Sequence, residues 1–125
     1  MAGILVPVVM IPKYTCYSGI PTGPSATGFV TQPCDVRAYA GFSLNFWRSP
    51  MFGTGSPGIT VWFEESVDEF PDFTAIGGSH TPNASDENPY TGSFTKQWFR
   101  IRVILTGDTP VVTCFCAGFF EQRPT

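Results

Sequence analysis

In DVRAYAGFSLNFW, residues 35–47, the side chains Val36, Ala38, Ala40, Phe42, Leu44 and Phe46 alternate with Arg37, Tyr39, Gly41, Ser43 and Asn45. An extended chain sends successive side chains to opposite faces, so this period of two predicts a strand with one buried side. Gly41, in the middle, marks a bend or bulge that lets so long a strand curve round a core.

The pattern recurs on either side. Beyond a loop rich in Pro and Gly, Ser49–Gly58, the segment Ile59–Glu65 puts Ile59, Val61 and Phe63 on one face and Trp62 on the other. Phe94–Thr106 sets Phe99, Ile101, Val103 and Leu105 against Trp98, Arg100, Arg102 and Ile104. Val111–Gln122 is apolar on both faces through Val111, Val112, Phe115, Phe119 and Phe120, which suits a central strand or one covered by a neighbouring subunit. Gly107-Asp108-Thr109-Pro110 joins these last two segments and predicts a hairpin. The polar stretch Ser66–Ser93 is long for a connection and predicts an ordered surface loop or a short strand near Phe73–Ile76.

Twelve prolines and thirteen glycines spread along the 125 residues interrupt every helical pattern. The fold class that follows is all-β: a β-sandwich or jelly roll of six to eight short antiparallel strands, with an open barrel as the second choice. Residues 1–13 form an apolar N-terminal arm or edge strand, and residues 14–125 a single β-sandwich domain. Within the first segment, Ile4, Leu5, Val6, Val8, Val9, Met10 and Ile11 are apolar, but Pro7 lacks the donor a central strand needs. These seven are the candidate partner-binding residues, because such an arm can add to a neighbouring sheet and fill its pockets. The segment has no Lys or Arg before its apolar run, so it does not read as a signal peptide, and it is too short to span a membrane.

Composition narrows the function. The chain is 42% hydrophobic and 15% aromatic but only 14% charged, so its aromatics must enter a core or be covered by a partner. The net charge of −3, with seven scattered basic residues, offers no phosphate-binding face and argues against nucleic acid. Cys16, Cys34, Cys114 and Cys116 match neither a disulfide scaffold nor a zinc site. Cys114 and Cys116 share a face and cannot bridge each other; a Cys16–Cys34 bridge stays open, and buried free thiols in a reducing compartment are the plainer reading.

Catalysis has little to draw on. His80, alone of its type, falls in a Gly/Ser/Thr/Pro loop and reads as solvent-exposed. Glu64, Glu65, Asp68, Glu69 and Asp72, with Asp86 and Glu87, could offer oxygen ligands to calcium, but the spacing fits no EF-hand and a solvated loop is the simpler reading. No catalytic, cofactor-binding or metal-binding residue is assigned, and the chain is read as not an enzyme. Trp47, Trp62 and Trp98, with Tyr14, Tyr17, Tyr39 and Tyr90, could instead supply a sugar-stacking platform, although interface packing accounts for them better.

With a Pro-interrupted apolar N-terminus, a Gly/Pro-rich strand series, and the expected closing hairpin of Trp98–Val103 with Gly118–Glu121, the chain resembles the small β-sandwich decoration, or cement, proteins of tailed-bacteriophage capsids. The resemblance implies a structural virion protein bound to the capsid surface, assembled in the host cytoplasm. Its implied partners are the major capsid protein, whose contacts it would stabilise, and copies of itself as a trimer or dimer, with no nucleic acid and no membrane. A minor tail or spike component and a carbohydrate-binding β-sandwich module are the alternatives.

Overall fold

The computed structural model describes residues 4–18, 27–68, 72–107 and 110–123. These hold β1 (Leu5–Ser18), β2 (Thr27–Val30), β3 (Cys34–Asp35), β4 (Tyr39–Arg48), β5 (Gly58–Ser66), β6 (Thr74–Ala75), β7 (Pro89–Ser93), β8 (Trp98–Thr106) and β9 (Val111–Gln122). Two antiparallel sheets result: a four-stranded one in the order β1-β9-β4-β7, and a five-stranded one in the order β2-β8-β5-β6 with β3 also pairing with β8. The protein is an all-β sandwich, as the alternation requires. Among the described residues no helix is long and apolar enough to cross a membrane.

The alternating residues meet between the sheets. Phe42, Leu44 and Phe46 of β4 and Val112, Cys114, Cys116 and Phe120 of β9 face Val61 and Phe63 of β5 and Phe99, Ile101, Val103 and Leu105 of β8, all buried. Phe42, Phe94, Phe99 and Phe120 are tilted or edge-on to one another with ring centroids 5.0–5.9 Å apart. Each buried ring contributes roughly 1.5–3 kcal/mol relative to exposure.

Two expectations are corrected. The segment 35–47 is not one strand: Cys34–Asp35 pairs with β8 in one sheet, the chain turns at Arg37 and Ala38, and Tyr39–Arg48 pairs with β9 and β7 in the other. Val36 is fully buried, but Ala38 is exposed and Ala40 half-buried, so the alternation lapses at the turn and resumes at Phe42. Gly41 does mark an irregularity, with a register shift between Tyr39 and Gly41, and a Cβ there would run into the carbonyl oxygen of Gly92.

Nor do Phe94–Thr106 and Val111–Gln122 form a hairpin. β8 pairs with β5, β2 and β3, and β9 with β1 and β4. Both strands carry a complete buried face, and side by side those faces could not cover each other. By crossing between sheets the chain sets them opposite and gives each strand partners on both edges. Turn-forming residues serve a crossing as well as a hairpin: Gly107 adopts φ +109° and Pro110 is buried, while Asp108 and Thr109 lie outside the described residues.

β1 runs along the edge of the four-stranded sheet. The Gln122 N–H donates to the Ile4 carbonyl at 2.8 Å, so by strand alternation the backbone groups of residues 4, 6 and 8 point to β9 and those of residues 5, 7 and 9 point away. The donor that Pro7 lacks therefore belongs to the free edge.

Candidate interaction surface

The outward side of the four-stranded sheet is built by the residues between the buried ones. Gly41, Ser43, Asn45 and Trp47 come from β4, Phe115, Ala117, Phe119 and Glu121 from β9, and Leu5, Pro7 and Val9 from β1, in register with one another. Leu5 is 56%, Val9 65% and Phe119 44% exposed. Between Ile11 and Thr15 the pairing of β1 slips, and Tyr14 takes the left-handed conformation, φ +59°. The Thr15 hydroxyl closes this kink on the Pro12 carbonyl at 2.8 Å. The kink sets the Tyr14 ring edge-on to Trp47 and Phe115, at 5.5 and 5.9 Å, with the Lys13 ammonium 5.5 Å from the centre of Phe115. At the other end of the same face Leu5, Ala40, Gly41, Ser43, Gly92, Ser93, Phe119 and Glu121 line a shallow depression. Aromatic bulk and missing side chains thus occupy opposite ends of one surface.

The seven apolar residues expected to bind a partner divide across β1. Ile4, Leu5 and Val9 are exposed. Val6 is half-buried, Val8 and Met10 pack against the core, and Ile11 is part of it. All seven are apolar in the sequence, which therefore could not separate them; the pairing with β9 does.

The outward side of the five-stranded sheet is different in kind. Glu64 is buried, its Oε1 accepting from Arg100 Nε at 2.9 Å and its Oε2 lying 3.2 Å from Arg102 Nε. The second contact is off-line for a hydrogen bond, so charge attraction carries it. The Arg100 guanidinium sits 4.0 Å from the centre of the Phe73 ring, and that of Arg102 5.6 Å from Trp62. Glu65 turns inward, taking hydrogen bonds from the Thr95 N–H, the Thr95 hydroxyl and the Lys96 N–H. Two members of the acidic cluster are therefore structural, not solvated; Asp68, Asp72, Asp86 and Glu87 are exposed, and Glu69 lies outside the described residues.

His80 is also corrected. It is half-buried and bridges to β5 through two backbone bonds with Val61, 2.8 and 2.9 Å, and its ring lies 4.3 Å from Tyr90 and 5.5 Å from Phe63. The aromatic packing of Phe63 and Tyr90 holds the imidazole at the sandwich edge. The three tryptophans do not make one platform either. Trp47 lies on one outer face, and Trp62 and Trp98 on the other; Tyr39 packs on Phe120, and the Tyr17 side chain lies outside the described residues.

All four thiols are free, Cys16 exposed and Cys34 half-buried, so no Cys16–Cys34 bridge forms. Burial pushes the Cys34 and Cys114 thiols up to about 11 and Cys116 up to about 12, which leaves them neutral and unreactive.

No protein-family model and no curated protein matches the chain. Among solved structures the chain is similar to VP2 in the subviral particle of infectious bursal disease virus, with a TM-score of 0.53 and 8% sequence identity. The match covers 96% of this chain and 33% of that one, so the chain spans about a third of the length of the viral protein. What the two share is the fold: an antiparallel β-sandwich that a viral capsid protein also uses.

Proposed function

We propose that the chain is a structural protein of a virion, packed against other capsid subunits through the outward side of the β1-β9-β4-β7 sheet. The observation that carries this reading is that surface itself. It exposes Leu5, Val9, Tyr14 and Phe119 together, in a sandwich fold shared with a viral capsid protein. Contiguous apolar surface of this kind marks a contact with another protein. In its finer form, the chain binds the outside of a phage capsid and stabilises contacts between major capsid subunits, with Ile4, Leu5 and Val9 at the contact. Pro7 leaves the free edge of β1 without a donor near its start, so side-chain packing suits the contact better than strand addition. Many copies on one shell allow each contact to be weak.

Quantitative mass spectrometry of sedimented particles tests the reading. A fixed ratio near one to one with the main shell protein is expected; a few copies per particle points to a tail or spike, and absence overturns a virion role. One observation favours sugar binding as a second reading: Tyr14 is 62% exposed beside Trp47. Quenching of tryptophan fluorescence by soluble glycans would support it.

A further inference from the structure

We infer that the partner on this face is a second copy of the chain, packed with its strands antiparallel about a two-fold axis. The inference rests on the reading that the face is a protein contact, and it names the occupant. The register supplies the geometry. Phe115 lies level with Trp47, and Lys13 sits over Phe115; Glu121 lies level with Gly41 and Leu5. The aromatic end and the hollow end of the face are thus equally far from Gly118 on β9. A two-fold axis between two such faces, across the strands and level with Gly118, exchanges the ends. Trp47 and Tyr14 of each copy then enter the depression at Gly41 and Ser43 of the other.

The same operation places Phe119 over Ala117 twice, large on small, and brings each Lys13 towards the Glu121 of the other copy. An axis along the strands would instead stack aromatic end on aromatic end and Lys13 on Lys13. Lys13 and Glu121 are the charged residues that β1 and β9 contribute, so charge and shape select the same arrangement. Such a contact is isologous, each patch meeting its own equivalent, and sandwich sheets pack in this aligned way with about a 30° twist. Four strands about 4.8 Å apart, β1, β9 and β4 of 14, 12 and 10 residues and β7 of 5, offer roughly 600 Å² per copy. Doubled, that is about 1,200 Å², at the lower end of what specific association needs. The expected dimer is therefore reversible, not permanent.

Sedimentation velocity of the purified full chain over a micromolar concentration series tests the inference. A monomer–dimer equilibrium is expected. Lys13→Glu and Glu121→Lys should each weaken association about tenfold, and the double swap should restore it, because opposite charges again face each other. Ser43→Trp, which fills the depression from an exposed position, should leave the melting temperature unchanged and abolish the dimer. A monomer at every concentration, or no rescue by the double swap, overturns the proposal. The outcomes separate from the virion reading: a monomer present in particles sinks only the dimer, and a dimer absent from particles sinks only the virion role.

Discussion

On the outward side of β5 and β8, Glu64 lies between Arg100 and Arg102, with Phe73 and Trp62 against the two guanidinium groups. On the outward side of β1, β9, β4 and β7, a longer surface carries Lys13 at one end and Glu121 at the other, with apolar and small residues between; Arg48 is bound to the Pro82 carbonyl at 2.7 Å. On the first face the carboxylate and both guanidinium groups are paired within the single chain, although Arg102 Nε makes no hydrogen bond. The second buries little of its own apolar area and gains by being covered. One sandwich therefore has a finished side and an unfinished one, and substitutions on the two sides should differ in what they damage.

The largest effect is expected on the finished side. Glu64→Leu would leave two guanidinium groups side by side with no carboxylate, in a site where the Glu64 side chain is 6% and the Arg100 side chain 19% exposed. Removing one member of such a buried group costs about 3 kcal/mol. Urea unfolding should show a lower midpoint with an unchanged slope. A loss below about 1 kcal/mol would mean that this face is as solvated as an ordinary surface pair, and the contrast would fail.

A second test separates the two sides of the four-stranded sheet. Beneath its outer face, Cys116 has its pKa raised from 9.0 to about 12 by burial, with Cys114 adding to it. A thiol whose folded pKa is raised stabilises the fold fully below the unfolded value and loses that contribution as pH rises through the folded one. Stability should thus fall by about 2 kcal/mol from Cys116 alone between pH 9 and pH 11. Cys116→Val should flatten that part of the profile. Cys16, exposed near the far end of β1, should react with an alkylating reagent at once in the native chain, while Cys114 and Cys116 wait for unfolding. Rapid alkylation of all three would mean that β1 does not seal the sheet.

Much of the buried side of this comparison is legible in the sequence. Period-two alternation identified Phe42, Leu44, Phe46, Val61, Phe63, Phe99, Ile101, Val103 and Leu105 as one-faced, because a residue's face depends only on local backbone geometry. Which strand pairs with which is not local. Gly107–Pro110 has the composition of a hairpin turn and makes a crossing, and Ala38, which alternation places inside, is exposed where the chain changes sheets. β7 escaped notice because Pro89-Tyr90-Thr91-Gly92-Ser93 has weak strand propensity; its partner β4 holds it through the Gly41–Asn45 register. On the surface the limit is the same. Glu64 and Glu65 are adjacent acids in the sequence, but one pairs across the sheet with Arg100 and the other caps Thr95 and Lys96. The kink at Tyr14, which raises the aromatic end of the outer face, has no sequence signal, since left-handed backbone at a tyrosine is rare.

A smaller effect, still on the finished side, concerns the cover over Arg100. Phe73→Ala removes a ring 4.0 Å from the guanidinium and should cost about 1 kcal/mol, the value of a partly desolvated cation–π contact. The loss should shrink when Glu64 has already been replaced, because Arg100, no longer held by the carboxylate, is free to swing off the ring into solvent. A double-mutant cycle by urea unfolding reads that coupling; strict additivity would show that Phe73 packs without regard to the charge.

The smallest effect on the chain itself is expected on the unfinished side, and it is the most discriminating. Phe119→Ser and Leu5→Ser remove large apolar groups, which in a core would cost several kcal/mol. Both side chains point away from the sandwich, 44% and 56% exposed, so unfolding of the dilute chain should change by no more than about 0.5 kcal/mol. The same substitutions should lower the affinity for whatever covers the face, separating stability from association. A loss above about 1 kcal/mol in the dilute monomer would show that Phe119 already completes its contacts within one chain. The depression beside it would then belong to a closed surface, and the difference between the two outer faces would reduce to charge alone.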